Sequence, residues 1–301
     1  MKFSNVLSPI SDHDFFDKYW NKKPLLMKGF EEKFKELPSS QKLPSMCIGK
    51  LNDNYWEQSN NLSAQITSAN SNGQLIHLNN VPISMYAQLY NTGHSLCFND
   101  VSSANKKLKE LAEDVSNVCE FNNNAIITCY LSPPNTTGVL HYDCQHTFFI
   151  QSEGVKYWRI SDKPAIKNPH ENFLYHNADQ EYFNDMKDKG YEILLPSDCG
   201  YRDIILNKGD FLYLPPGYYH SAQTKKEKSF HYTLTLETIS FWNFIMSSLH
   251  LGFLKNCSEF NEDIRSLPDS DRNKHFSTQL EEFKKMVNNL SVKDMENILK
   301  K

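Results

Sequence analysis

Three side chains that can bind a metal, far apart in the sequence, place the strongest constraint on how this chain folds. His141 and Asp143 are separated by one residue, and His220 follows the Pro215–Gly217 loop much later in the chain. On a β-strand, residues two apart point to the same face of the sheet. Gly209 to Gly217 predicts a turn, a short buried strand and a Pro/Gly loop, which would hold His220 at a strand end. Two imidazoles and one carboxylate are the facial ligand set of non-haem Fe(II) oxygenases.

The H-x-D pair alone is a weak signal, because with eleven histidines in the chain it also arises by chance or as a satisfied core pair. Its surroundings strengthen it. Thr147–Gln151 and Val155–Ile160 predict two strands and Ser152–Gly154 a tight turn, so we predict a hairpin. Lys156 lies in the returning strand, where its ammonium could reach back into the space beside the metal and pair with the distal carboxylate of a 2-oxoacid. The alternative is that Lys156 faces solvent on an edge strand.

Two strings carry a family resemblance, GVLHYDCQHTFFIQSEGVKYWRISD and, downstream, GDFLYLPPGYYHSA. They resemble the JmjC-type, cupin-like Fe(II)/2-oxoglutarate oxygenases. Within that family the chain is most similar to the bacterial ribosomal-protein hydroxylases and to the asparaginyl hydroxylase that acts on the hypoxia-inducible transcription factor. The segment from Phe15 to Gly29 also fits, since it precedes the barrel in these families, and the resemblance therefore spans roughly residues 10 to 240.

The resemblance implies a site and a reaction. Fe(II), 2-oxoglutarate and O2 would be the cofactors, and 2-oxoglutarate would be converted to succinate and CO2 while a substrate C–H bond is hydroxylated. The residues implied are the metal ligands His141, Asp143 and His220, then Lys156 for the C5 carboxylate, Thr147 as a polar residue near the cosubstrate, and Tyr130 and His231 on strands lining the same pocket.

This sequence departs from its relatives at two places. Gly138 stands three residues before His141, where the asparaginyl hydroxylase often has a hydroxyl residue, so one cosubstrate hydrogen bond must come from another group. The segment from Ser161 to Tyr201 is longer than in the compact bacterial hydroxylases. It contains four aromatic residues that could form a lid, namely Phe173, Tyr175, Tyr182 and Phe183.

The predicted fold class is mainly β, a double-stranded β-helix (jelly-roll or cupin) barrel with N-terminal and C-terminal α-helices. We predict an N-terminal helical and loop region over residues 1–120, the catalytic barrel over 121–240 and a helical region over 241–301. Ser11 resembles a helix cap, so a helix should start near Asp12 and end at Pro24. Residues 31–80 are polar and predict loops with short elements. Another helix is expected around residues 104–118.

The barrel should begin near Ala125–Leu131 and close with Ser229–Glu237. In the closing strand, polar His231, Thr233 and Thr235 alternate with apolar residues. The polar face either looks inward at the site or, on an outer strand, faces water.

Beyond Phe241 the apolar residues recur at intervals of three and four, as in helices. The two sets are Phe241 to Phe253 and Phe276 to Leu290, and Ser291 with Asp294 could cap a last helix. These helices either cover one end of the barrel or form a homodimer interface.

Composition narrows the partners and the compartment. The net charge of −4 gives no reason to expect direct nucleic-acid binding. No apolar run is long enough to cross a bilayer, and seven cysteines without regular spacing do not suggest disulfides. We therefore expect a cytoplasmic protein in a reducing compartment. Cys144 could be taken for a metal ligand, but its neighbour Asp143 would point to the opposite face of a strand, which favours packing.

The leading functional hypothesis is a dioxygenase that hydroxylates an amino-acid side chain in a protein or peptide. An oxygenase acting on a small molecule or free amino acid is the alternative. A non-catalytic cupin-like binding protein is a third hypothesis. Demethylation of N-methyl-lysine is a variant of the same chemistry, which ranks lower because no reader or zinc module accompanies the domain.

Overall fold

A computed structural model describes residues 1–42, 64–69, 75–81, 83–119, 125–175, 180–237, 245–246, 269–289, 291 and 293. The chain divides into two compact units. The first comprises residues 1–119 and 123–238, and the second comprises residues 120–122 and 239–301. The first unit contains the barrel and the predicted site.

Two antiparallel sheets form the barrel, as expected for a jelly roll. The strands are β1 Leu25–Met27, β2 Ala64–Ala69, β3 Leu75–Val81, β4 Leu96–Phe98, β5 Ile126–Ser132, β6 His141–Tyr142, β7 His146–Gly154, β8 Lys156–Ser161, β9 Phe173–Leu174, β10 Tyr201–Leu206, β11 Phe211–Leu214, β12 His220–Gln223 and β13 Ser229–Leu236. The eight-stranded sheet has the order β1-β11-β7-β13-β5-β4-β2-β3 and the five-stranded sheet the order β10-β8-β12-β6-β9. The predicted fold class is therefore confirmed.

The predicted hairpin between β7 and β8 is wrong. β7 pairs with β11 and β13 in the larger sheet, whereas β8 pairs with β10 and β12 in the smaller one. The chain therefore turns a corner between sheets at Gly154, whose φ is +64°. A Cβ at Gly154 would lie 1.9 Å from the carbonyl oxygen of Lys228, so only glycine fits this close approach. Because of the corner, Lys156 begins a strand of the opposite sheet.

One part of the space between the two sheets is lined by apolar side chains and another part by polar side chains. Phe149 of the larger sheet packs there with Trp158 and Ile160 of the smaller one and with Leu206, Leu212 and Leu214. Polar residues of β5 and β13, including Thr128, His231 and Thr233, are also buried. The ring of His231 lies 5.9 Å from that of Trp158 on the facing sheet, so the polar face of β13 looks inward.

Helices before the barrel cover the outer face of the larger sheet. They are α1 Phe3–Leu7, α2 Asp12–Lys18, α3 Glu31–Phe34, α4 Ile83–Asn91 and α5 Lys106–Val118. Ser11 caps α2 by accepting the backbone N–H of Asp14, as predicted. That helix already ends at Lys18, so Pro24 instead precedes strand β1. The ring of Phe3 packs edge-on against Phe148 of β7 at 5.4 Å, which fixes α1 to the sheet.

The polar stretch over residues 31–80 contains more regular structure than the sequence suggested. Strands β2 and β3 pair with each other, and β2 also pairs with β4, so they extend the larger sheet. The helix predicted around residues 104–118 is present as α5, with Asn105 as its cap and a buried face of Leu108, Leu111 and Val115.

The long segment between Ser161 and Tyr201 packs on the outer face of the smaller sheet. It contains β9 and the helix α6 Gln180–Asp188. Phe173 and Phe183 are buried in one aromatic cluster with Tyr142 and Tyr219. These two rings are therefore part of a core, which corrects the expectation that they belong to a lid. Tyr175 is more exposed, at 37%.

In the second unit the structure describes the helix α7 Asp269–Asn289, which contains most of the second predicted apolar set. Four of its apolar residues are partly exposed, namely Phe276, Leu280, Phe283 and Val287. Apart from Ile245, the residues of the first predicted set, together with Leu290 and Asp294, lie outside the described residues. Among the helices described, none is long and apolar enough to cross a membrane.

Candidate active site

Pairing of two short strands brings the two predicted histidine ligands together. β6 and β12 are antiparallel neighbours, and His141 is the register partner of His220. Their ring centroids lie 4.1 Å apart. His220 is the first residue of β12, at the strand end that the Pro215–Gly217 loop predicted. The loop is tied to the other ligands because the backbone N–H of Gly217 donates to the carbonyl of Asp143 at 2.9 Å.

Each histidine is oriented by a hydrogen bond to the main chain. Nδ1 of His141 lies 2.8 Å from the carbonyl oxygen of Val139, and Nδ1 of His220 lies 3.0 Å from that of Tyr218. A carbonyl oxygen only accepts, so each Nδ1 is the donor and Nε2 is left as the ring nitrogen that can bind a metal. This is the arrangement in which histidine binds a metal through Nε2.

Asp143 completes the cluster from a position just past the end of β6. Its Oδ2 lies 3.5 Å from Nε2 of His220, and the hydroxyl of Thr147 donates to the same oxygen at 3.4 Å. One ligand atom from each of His141, Asp143 and His220 can be chosen so that all lie within 4.8 Å of one another. Cys144 is not part of this group and is 9% exposed.

Burial keeps His220, the most buried of the three residues, neutral. His220 is 2% exposed, and burial together with the nearby His141 lowers its pKa to about 4, although Asp143 opposes the shift. Since a metal needs an unprotonated imidazole, His220 is ready to bind a cation at neutral pH.

Lys156 faces the interior of the barrel and not solvent. It is 5% exposed, and its Nζ donates to Oγ of Ser132 on β5 at 2.7 Å. Burial lowers its pKa to about 7. Within the described residues, no carboxylate forms an ion pair with it, so the ammonium has no counter-ion of its own. A buried amine without a counter-ion is a binding point for an anionic ligand.

His231 and Tyr130 lie beside Lys156 on β13 and β5. Their rings stack at 5.0 Å with an angle of 4°. Burial, with a smaller contribution from the charge of Lys156, holds the pKa of His231 well below its ordinary value. Interaction with Cys97, followed by burial, raises the pKa of Tyr130, so its phenol stays protonated.

The structure thus gathers all seven predicted site residues in one interior region, with Lys156, Tyr130 and His231 beside one another and Thr147 touching Asp143. It also explains Gly138, whose N–H donates to the carbonyl of Ala222 at 2.7 Å. A Cβ at Gly138 would lie 2.8 Å from that oxygen, so a hydroxyl side chain has no room.

Two further buried residues lie in this region: Trp158, which the sequence analysis did not name, and Thr233, which it named only as part of the polar face of the closing strand. Trp158 follows Lys156 by two positions on β8, and Thr233 follows His231 by two positions on β13. Because side chains alternate along a strand, Trp158 shares the inward face of Lys156, and Thr233 shares that of His231. This alternation could have identified both residues from the sequence.

Comparisons with known proteins agree with this geometry. Residues 103–244 match the family model described as JmjC domain. The chain is 27% identical over 266 residues to a Drosophila grimshawi protein named bifunctional lysine-specific demethylase and histidyl-hydroxylase NO66, covering 86% of this chain and 34% of that one. It is 24% identical over 275 residues to mouse ribosomal oxygenase 2, covering 88% of this chain and 53% of the relative. The chain therefore spans about a third to a half of the length of these relatives.

A solved structure gives the same fold. Escherichia coli YcfD, described as a ribosomal oxygenase in complex with cobalt and 2-oxoglutarate, superposes with a TM-score of 0.58 at 18% identity, covering 93% of this chain and 67% of that one. At this identity the likeness speaks for the fold alone. Residues 103–244, just under half of the chain, are therefore similar to the JmjC domain, and the relatives extend that similarity over most of the chain.

Proposed function

We propose that this protein is an Fe(II)- and 2-oxoglutarate-dependent oxygenase that hydroxylates an amino-acid side chain in a protein or peptide. One observation carries the proposal. A cluster of His141, Asp143 and His220 that could hold a metal shares the interior of the barrel with Lys156, a buried amine for which the described residues offer no counter-ion. A metal beside a cationic anchor suits a chelating ligand that carries a second carboxylate.

The donor set fits iron(II). Two imidazole nitrogens and one carboxylate oxygen make up a 2-His-1-carboxylate set, the ligand set typical of non-haem iron(II) oxygenases. Both histidines present Nε2 because their Nδ1 atoms are held by main-chain carbonyls. The hydroxyl of Thr147 orients Asp143 by hydrogen bonding to Oδ2.

The surroundings of Lys156 fit 2-oxoglutarate. A buried ammonium is costly unless it is paired, and here its hydrogen-bond partner is the neutral Ser132. A distal carboxylate would supply the missing charge and would favour the protonated amine. Phe149 and Trp158, whose rings each lie 6.0 Å from that of His220, would exclude water along the aliphatic part of the ligand.

When bound, iron(II) with 2-oxoglutarate and O2 supplies the oxidative decarboxylation to succinate and CO2 that is coupled to hydroxylation of a C–H bond. The residues of this chain bind and orient. His141, Asp143 and His220 would hold the metal, and Lys156 would bind the far end of the cosubstrate and so orient it. None of them has to act as nucleophile or general base.

The names of the relatives support a polypeptide substrate. Histidyl hydroxylation, lysine demethylation and ribosomal oxygenation are named for them, and each concerns a macromolecular substrate. We infer that this chain shares the substrate class, with hydroxylation ranked above demethylation. No disulfide joins the cysteines that the structure describes, which is consistent with work in a reducing compartment such as the cytoplasm. Dimerisation through the C-terminal helices remains a prediction, which the molar mass in solution would check.

Anaerobic reconstitution tests the proposal directly. The protein is loaded with Fe(II) and 2-oxoglutarate without oxygen, and succinate is measured after oxygen is admitted, with and without peptides that contain histidine, arginine, asparagine or methylated lysine. We expect slow succinate formation alone, faster formation with a true substrate, and a mass increase of one oxygen on that peptide. His141→Ala should abolish turnover. If that variant formed succinate at the parental rate, the metal site would have to lie elsewhere.

A further inference from the structure

The segment from Trp20 to Lys23 lies between helix α2 and strand β1 and contributes none of the predicted site residues. It belongs to the string from Phe15 to Gly29 that carries part of the resemblance. Asn21 has a φ of +53°, in the left-handed region that asparagine tolerates better than most residues. The chain therefore turns sharply at this position, next to the barrel.

Two tyrosine hydroxyls of the barrel bind the main chain at this turn. The N–H of Asn21 donates to the hydroxyl of Tyr213 at 3.0 Å, and the hydroxyl of Tyr218 donates to the carbonyl oxygen of Lys22 at 3.0 Å. Tyr213 is fully buried and Tyr218 is 5% exposed, so little water competes for either bond. The turn is thus fixed to β11 and to the loop that follows it.

Tyr218 links this turn directly to a predicted metal ligand. Its carbonyl oxygen accepts the hydrogen bond from Nδ1 of His220 at 3.0 Å, while its own hydroxyl is held by Lys22. One residue therefore has its side chain fixed by the segment and its main chain bonded to the imidazole. The neighbouring Gly217 donates its N–H to the carbonyl of Asp143 at 2.9 Å, so the same loop contacts two of the three ligands.

The ring of Trp20 fixes the same segment beside Asp143. It stacks on His146 with ring centroids 3.6 Å apart and an angle of 9°. Nδ1 of His146 lies 2.9 Å from the hydroxyl of Tyr213, the group that binds the turn. The next residue on β7 is Thr147, whose hydroxyl donates to Oδ2 of Asp143. The segment thus supports the cluster from the carboxylate side as well as from the side of His220.

We propose that the segment Trp20–Lys22 positions the metal ligands and that Tyr218 is the positioning residue through which it acts on His220. The inference rests on the proposed function, since it takes the cluster as a site for a divalent metal. Tyr218 is not a ligand itself, because it acts through its main-chain carbonyl. Groups that orient ligating histidines in this way typically contribute about 10-fold to 100-fold to metal affinity.

Metal binding tests the proposal without turnover. Tyr218→Phe removes the hydroxyl that Lys22 holds but keeps the ring and the carbonyl that accepts from His220. The affinity of the full chain for Co(II), without cosubstrate, is measured by calorimetry at neutral pH. We expect Tyr218→Phe to bind Co(II) about tenfold more weakly than the wild type. An affinity equal to that of the wild type would overturn the proposal.

Tyr232→Phe is the matched control. Tyr232 is 1% exposed, and its hydroxyl donates to the carbonyl oxygen of Pro38 at 2.6 Å, which is a bond of the same kind at a residue that is not bonded to a ligand. Both variants lose one buried hydrogen bond, so their urea midpoints should fall by similar amounts. The affinity of Tyr232→Phe for Co(II) should equal that of the wild type. Equal weakening in the two variants would show a merely structural role and would refute the proposal.

The visible spectrum of bound Co(II) supplies a second readout, because it depends on the arrangement of the ligands. At saturating Co(II), the bands should differ from those of the wild type in Tyr218→Phe and in Trp20→Ala, which removes the stack on His146. They should be unchanged in Tyr232→Phe and in Trp20→Phe, which keeps a ring to stack. Wild-type spectra in both Tyr218→Phe and Trp20→Ala would contradict the positioning role. The proposed function fails differently, since the wild type would then bind Co(II) no more tightly than His141→Ala does.

Discussion

Replacing Lys156 with methionine is expected to stabilise the ligand-free protein while removing its affinity for 2-oxoglutarate. Burial lowers the pKa of Lys156 from its ordinary value of 10.5 to about 7. At about 1.4 kcal/mol per pH unit, this difference corresponds to about 5 kcal/mol of unfavourable free energy for holding the charged amine in the folded protein. Loss of the hydrogen bond to Ser132 offsets about 1 kcal/mol of the gain. We therefore expect Lys156→Met to unfold with a free energy about 2 to 4 kcal/mol higher near pH 7.

The advantage of the variant should depend on pH with a definite sign. The pKa of Lys156 is lower in the folded protein than in the unfolded chain, so between about pH 7 and 10.5 the unfolded chain binds more protons. Stability of the wild type therefore rises with pH across that window, while below about pH 7 the full cost of the charge is present. Methionine carries no charge, so the difference between variant and wild type should shrink as the pH rises.

Urea unfolding of metal-free protein at about pH 6, 8 and 10 measures this difference. Lys208→Met is the control, because Lys208 is 59% exposed and pairs with Glu31 on the surface at 3.1 Å. Its replacement should change stability by less than about 1 kcal/mol. A Lys156→Met variant that is less stable than wild type near pH 7, or whose advantage is constant with pH, would refute this account of the buried amine.

Three further changes probe the fold around the site. Gly154→Ala should lower the free energy of unfolding by about 2 kcal/mol or more, because its φ is +64° and a Cβ would meet the carbonyl of Lys228. An unchanged urea midpoint would contradict the close packing of Gly154 at the corner between the sheets. Phe173→Ala should cost about 3 kcal/mol by opening a cavity beside Tyr142, which thermal unfolding would detect, whereas a free lid would show no loss. His146, whose pKa burial lowers to about 3, stays neutral in the fold, so wild type should lose more stability than His146→Phe as the pH falls from about 6.5 to 4.

The sequence pattern predicted the position of an element correctly where the residues of that strand or loop alone determine it. The strand before the Pro133 turn, the buried strand before the Pro215 loop and the alternation in Ser229–Leu236 all lie where they were predicted. The cap at Ser11 was predictable for the same reason, since a helix cap depends on residues within one turn.

Pattern failed where the partner comes from a distant segment. Ser152–Gly154 has the composition of a tight turn, but whether the chain folds back or crosses to another sheet depends on the carbonyl of Lys228, which packs against Gly154. Phe173 and Phe183 were predicted to belong to a lid. Their burial against Tyr142 and Tyr219 arises only in the assembled sheet, so the sequence pattern could not reveal it.

By itself the sequence determined the chemistry available: two imidazoles and a carboxylate, a lysine on the following strand, and strands with one polar and one apolar face. Only the tertiary structure decided where these groups meet. The pairing of β6 with β12 set His141 beside His220, and the corner at Gly154 turned Lys156 inward. The physical reason is that both the ligand set and the burial of the charge depend on contacts between strands that are distant in sequence. Register, burial and desolvation, which set the pKa of Lys156, exist only once the two sheets have packed together.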